Sequence, residues 1–308
     1  MNSLRRGPRP SAKIRYAGPP SGRRTGVAAY LLVAPFLLTF IVFQAFALVA
    51  ALGLSFTDWR GSAGGSWVGF NNYLYLFQDE GFLLALWNTA VLWVATVPVL
   101  SFGSLAIAYL LIGPIIRFAK LHRTLLFLPV LPSLVVAGTL FLHLLDPGIG
   151  MVSKLLAVFG LDPVRLQTDP SVAIPVIAVV VIWRWLGYNM IIHLAALANL
   201  PAEILEAATI DRASRWQTFW RIVVPMSKPM LLFTTVISTI GIAGLFDEPY
   251  VLLGSSGGPS QGGLTLGVFM YREGFQYFNL GYASAITYVI TAIVLVFALI
   301  QMRLSRDD

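Results

Sequence analysis

Few residues in this 308-residue chain could do covalent or metal chemistry, and their spacing argues against both. The three histidines, His122, His143 and His193, lie too far apart in sequence for a zinc cluster. There is no cysteine, so neither a thiolate metal site nor a disulfide framework can form. An intramembrane hydrolase would need a nucleophile beside a base, and no serine has a recognisable nucleophile context next to His143 or His193. What remains is charge in an apolar setting. Arg184 sits inside "VIWRWLGYNMIIH", with Tyr188 one turn on, and Asn189 and His193 form a second polar pair four residues apart. An ionisable residue at membrane depth must face protein or water rather than lipid. Two readings stay open: a polar lining for a solute path, or a structural arginine bonded to carbonyls or a neighbouring subunit, with Trp183 and Trp185 as packing.

The other concentration of polar chemistry is "EAATIDRASRWQTFWRIVVPMSKP", Glu206 to Pro229, with three arginines, a lysine and two acids. It reads as two short helices. Pro201 suits a first helical position and Glu203 complements the helix dipole. A break follows near Asp211-Arg212-Ala213. Ser214 with Gln217 forms a capping-box pattern that starts the second helix. There Trp216, Phe219, Trp220 and Val223 recur at i, i+3, i+4, i+7 and predict one apolar stripe, which Pro225 ends or kinks. Such a hairpin is either an interfacial helix pair lying on lipid or a knob that docks into a groove on a soluble partner.

These residues are held by a membrane framework. The chain is 57% apolar and 11% charged, against about 25% charged for soluble domains, and its mean hydropathy is +0.77. Six segments approach the roughly 20 residues that a crossing helix needs: Val27 to Ser55, Phe82 to Ile112, Leu125 to Leu145, Val172 to Leu197, Met230 to about Phe246 with an extension toward Leu253 left open, and Gly281 to Met302. The first is too long for a signal-peptide core and reads as a retained helix. Span five, rich in Thr, Ser and Gly, suits close helix packing, with pore lining as the second reading. The expectation is an all-α polytopic membrane protein with six transmembrane helices.

Lysine and arginine in the flanks set the orientation. The tail carries Arg5, Arg6, Arg9, Lys13, Arg15, Arg23 and Arg24 without an acid; the loop after span two has Arg117, Lys120 and Arg123; the loop after span four has Arg212, Arg215, Arg221 and Lys228; the far end has Arg303 and Arg306. The opposite loops hold only Arg60, Lys154, Arg165 and Arg272. Both termini are therefore expected in the cytoplasm, and the net charge of +7 is topological rather than a nucleic-acid footprint. Residues 1–26 are expected to form a disordered basic tail, 27–302 a six-span domain with its core at about 83–302, and 303–308 a cytoplasmic end. All fourteen acids fall outside the six segments as drawn. Ion-coupled pumps usually hold carboxylates within the membrane, so an ion-coupled secondary transporter is the weaker alternative.

The string "EAATIDRASRWQTFWRIVVP" closely resembles the EAA loop of ATP-binding-cassette (ABC) importer permeases, E-A-A-x-x-D-G-A followed by F, I and P. Glu206, Ala207, Ala208, Asp211, Ala213, Phe219, Ile222 and Pro225 fall on it. "LLVAPFLLTFIVF", "WVGFNNYLYLF" and "YVLLGSSGGPSQGGLTLGVFMYREGFQYFNLGYASAI" look like other parts of the carbohydrate-uptake branch, near the maltose and glycerol-3-phosphate permeases. The likeness runs from about Val27 to Met302. It departs at Arg212, where the pattern has glycine, and at "MVSKLLAVFGL".

The resemblance implies a type I ABC importer permease fold and no catalysis by this chain. It further implies that residues 201–229, through Glu206, Ala207, Ala208, Asp211, Arg212, Ala213, Phe219 and Pro225, couple to an ATPase subunit. The implied partners are a second, different permease, two ATPase subunits holding ATP and Mg²⁺, and an external solute-binding protein. The implied setting is a prokaryotic cell membrane, and the implied cargo is a sugar or sugar derivative. Arg184, Tyr188 and Asn189 are candidates for the solute path. Gly257, Gly258 and Pro259 are expected to shape an outer turn that also contacts the binding protein, and Tyr271, Phe275 and Phe278 to be interfacial aromatics.

Overall fold

Among the described residues every regular element is a helix, apart from one isolated antiparallel bridge between Thr57 and Trp67. The computed structural model describes residues 24–61, 64–113 and 116–304. The expected tail lies outside them up to residue 23, as do residues 305–308 of the expected cytoplasmic end. The chain divides into two compact units, Met1–Ala50 and Ala51–Asp308. The first holds the helix Arg24–Thr39 and the wider π turn Phe40–Ala45, most of the candidate crossing Tyr30–Leu54.

In the second unit, Glu80–Ile112, Pro170–Leu197, Lys228–Leu253 and Leu280–Arg303 are each long and apolar enough to cross a membrane. A sixth crossing exists if the bent pair Ala119–Val130 and Leu134–Leu144 is counted as one. The third segment was expected as a single helix over Leu125 to Leu145; instead its halves meet at 97°. Two prolines account for the bend. Pro129 and Pro132 have no N–H to give to the carbonyls four residues back. The chain tightens into a 3₁₀ turn at Leu128–Val130 and restarts behind Ser133, whose hydroxyl accepts from the Val136 amide at 3.4 Å.

Polar side chains fix the helices to one another. Asp79 caps span two by accepting from the Gly81 amide at 2.8 Å, and its other oxygen accepts from the Tyr282 hydroxyl at the start of span six, also at 2.8 Å. The hydroxyls of span five bond across helices as its composition predicts: Thr235 donates to Ser101 at 2.9 Å, and Thr239 accepts from the Trp93 indole at 3.0 Å. Gly187 of span four lies so close to the 119–127 helix that a Cβ there would overlap the Leu126 carbonyl. One buried cluster joins Leu105 of span two, Met190 and Leu197 of span four and Leu231 of span five to Phe219 and Val223 of the intervening loop.

Candidate functional sites

The loop after span four folds as the expected hairpin. Its first helix, Ala202–Ile210, follows Pro201, and its second begins at Arg215 behind a complete capping box. The Gln217 amide donates to Ser214 Oγ at 3.2 Å, while the Ser214 amide donates to Gln217 Oε1 at 2.8 Å. Glu206, Ala207, Asp211 and Arg212 are exposed, Ala213 is partly exposed, and Ala208 is buried.

The turn between the helices shows why the pattern has glycine at 212. The Ala213 amide donates to the Ala208 carbonyl at 3.0 Å, and the Arg212 amide donates to the Thr209 carbonyl at 3.1 Å. These are the two bonds of a Schellman stop, which puts its penultimate residue in the left-handed region. Arg212 occupies that position with φ +55°. The turn is thus kept, and arginine is strained to keep it.

The expected single apolar stripe is divided. Phe219 and Val223 are buried, but Trp216 is 71% and Trp220 43% exposed. The cause is a change of pitch. The second helix has four α-helical residues, Arg215–Thr218, and then widens into a π turn at Phe219–Val223, so an α-helical spacing no longer marks one face. The widening stands directly before Pro225, which can neither donate to nor sit closely over the Arg221 carbonyl. Trp216 and Trp220 meet edge to face at 5.5 Å on the outer side, while Phe219 packs on Tyr109 at 5.9 Å.

In span four the three candidates separate. Tyr188 and Asn189 line a cavity of about 240 Å³ together with Trp185, Ser238, Asp247 and Glu248. Arg184 is buried behind that wall, its Nε 3.9 Å from Glu248 Oε1 and its guanidinium 5.7 Å from the Trp185 ring centre. The Trp185 indole also donates to Glu248 Oε1, at 3.3 Å. The Asn189 amide nitrogen donates to the Trp185 carbonyl at 3.1 Å. His193 is fully buried, with its Nε2 3.2 Å from the Thr234 hydroxyl of span five.

Asp247 and Glu248 lie between the two bounds that the sequence allows for the fifth segment, about Phe246 and toward Leu253. The candidate crossing runs on through Leu253, turning at Gly244 to Phe246 before the helix Asp247–Leu253. The longer bound is the one that the candidate crossing takes, and it brings Asp247 and Glu248 within it, unlike the shorter bound on which all fourteen acids fall outside. The available signal was "FDEPY", two acids followed at once by apolar residues.

Gly257 and Gly258 have φ of +72° and +78°, and a Cβ at either would press on Leu264 or Leu253. They shape the turn before Pro259, as expected. Among the described residues no group of His, Asp and Glu could hold a metal ion.

The family described as Binding-protein-dependent transport system inner membrane component matches residues 21–307. The chain is 37% identical over 284 residues to the lactose transport system permease protein LacF of Rhizobium radiobacter, covering 91% of this chain and 95% of that one. Its fold is similar to that of a chain in the crystal structure of a bacterial ABC transporter involved in the import of the acidic polysaccharide alginate. That match has a TM-score of 0.78 and 26% identity and covers 92% of this chain and 96% of the other. A second structure, of a bacterial alginate ABC transporter in complex with alginate pentasaccharide-bound periplasmic protein, matches with a TM-score of 0.77 and 25% identity, over 92% and 95% of the two chains.

Proposed function

The chain belongs to the family of binding-protein-dependent transport system inner membrane components, and from that premise we propose that it conducts a sugar or sugar derivative as one permease of an ATP-driven importer. Its fold is that of a type I ABC importer permease, and it is a non-catalytic membrane subunit. The lactose permease among its relatives and the alginate importer among its structural neighbours support a carbohydrate cargo.

One observation supports coupling through residues 201–229 above the others. The hairpin presents Glu206, Asp211 and Arg212 to the outside, yet Phe219 and Val223 root it in a cluster shared with spans two, four and five. A partner that grips the exposed turn therefore pulls on three crossings at once. In this reading the partner is a pair of ATPase subunits holding ATP and Mg²⁺. Their closure swings the crossings so that the cavity beside Tyr188 and Asn189 opens first outward and then inward. A second, different permease completes the path, and an extracytoplasmic solute-binding protein delivers the sugar near Gly257, Gly258 and Pro259. Both termini and the hairpin lie on the cytoplasmic side of a prokaryotic cell membrane, as the arginine distribution indicates.

Reconstituted uptake tests this. Glu206→Ala and Asp211→Ala should abolish ATP-dependent uptake while the chain still inserts and assembles. Normal transport by both variants refutes the coupling role. Uptake by this chain alone, driven by an ion gradient without ATP, refutes the importer reading itself.

A further inference from the structure

The cavity between spans four and five has acid on its wall and no base. Asp247 and Glu248 line it, and none of its lining residues is a lysine or an arginine. The two acids differ in kind. Glu248 is 3% exposed and has Arg184 and the Trp185 indole beside it. Asp247 is exposed, and among the described residues no lysine or arginine pairs with it. One negative charge without a cationic partner thus lines the same cavity as two aromatic rings, Trp185 and Tyr188, which meet nearly at right angles with centres 5.8 Å apart.

The acids and the aromatic rings of this wall suit a polyol better than an acid. Ring faces accept the apolar side of a pyranose, and a carboxylate accepts hydrogen bonds from hydroxyl groups. Asn189 spends one of its two N–H groups on the Trp185 carbonyl and keeps its oxygen as a further acceptor for a hydroxyl. Resting on the sugar-permease reading above, we infer that this wall selects sugars without negative charge and turns away uronates and sugar phosphates. A second anion brought beside Asp247 adds a repulsion with no cation on the wall to relieve it, and rejection by such a repulsive element is an effective route to specificity. At an effective dielectric near 20 the penalty is roughly a few hundredfold in affinity at about 5 Å, and about twentyfold after screening. The fold itself does not dictate this choice, since an importer of acidic alginate shares it.

The test uses the assembled complex of permeases and ATPase in nanodiscs, without the binding protein, so that only the membrane cavity discriminates. Saturation-transfer NMR would read the binding of neutral disaccharides (lactose, maltose, cellobiose) against digalacturonate and glucose 6-phosphate. At least one neutral sugar is expected to bind at least about tenfold more tightly than either anion. Asp247→Asn should shrink that ratio toward one, and Asp247→Lys should invert it. Equal binding of neutral and anionic sugars by the unmodified complex, or a ratio that neither variant moves, overturns the inference and leaves the sugar reading intact. Binding of no sugar of either class overturns both.

Discussion

The Ala213 amide reaches back to the Ala208 carbonyl across 3.0 Å, and Arg212, inside the turn that this bond closes, is held at φ +55°. A side chain in the left-handed region costs about 1–2 kcal/mol, and glycine returns part of that as greater freedom in the unfolded chain. Arg212→Gly should therefore stabilise the protein by about 0.5–1 kcal/mol, and Arg212→Val should destabilise it by about 1 kcal/mol or more. Thermal unfolding of the nanodisc-embedded complex would show this as opposite shifts in Tm. Destabilisation by glycine would mean that the arginine side chain does more for the turn than its backbone strain costs.

Phe219 and Val223 root the hairpin, and Trp216 does not. Removing a buried phenylalanine side chain costs about 3–5 kcal/mol where its surroundings cannot collapse, whereas trimming a 71% exposed tryptophan costs little in the isolated chain. Phe219→Ala should lower Tm, and Phe219→Leu should recover most of the loss. If the hairpin couples as proposed, then at temperatures where Phe219→Ala remains assembled ATP hydrolysis should continue while uptake falls. Equal loss of hydrolysis and uptake would point to failed assembly instead.

The parts of this molecule that follow from local rules could be read from residues alone. The capping box at Ser214 and Gln217 depends on residue types three apart, and it formed as expected. The approximate crossings depend on apolar length, and five segments are long and apolar enough to cross without counting the bent pair, although the fifth turns at Gly244 to Phe246. What could not be read depends on tertiary context or on proline geometry. Pro129 and Pro132 sit in a run apolar enough to look like one span, and hydropathy does not register a 97° bend. Trp216 to Val223 follow an α-helical spacing, but the π turn before Pro225 changes the pitch that spacing assumes. Arg184 is visible as a charge in the wrong solvent; its partner Glu248 lies 64 residues further along the chain, a pairing that only the packing of spans four and five makes.

Gly187 lets span four approach the 119–127 helix so closely that a methyl group would overlap the Leu126 carbonyl. A backbone oxygen cannot rotate aside as a side chain can, so the two helices would have to separate. Gly187→Ala should cost about 1–3 kcal/mol, the usual penalty of overpacking, despite alanine's better helix propensity. Gly241 on span five has open space at its Cβ, so Gly241→Ala is the matched control and should be neutral or slightly stabilising. A neutral Gly187→Ala would show that the two helices do not pack this tightly.

Arg184 and Glu248 are 7% and 3% exposed and face each other at 3.9 Å, so neither charge has water to fall back on. Breaking such a pair by removing one partner leaves a buried charge alone and typically costs about 3–5 kcal/mol, while replacing both can come close to neutral. Arg184→Gln and Glu248→Gln should each lower the Tm and yield of the assembled complex, and the double variant should recover at least half of the loss. This double-mutant cycle separates pairing from mere burial, because two independent polar residues would lose stability additively. Additive losses would mean that Arg184 is held by other groups and that Glu248 faces the cavity unneutralised. In that case the wall would carry two negative charges rather than one, and the discrimination against anionic sugars should be steeper still.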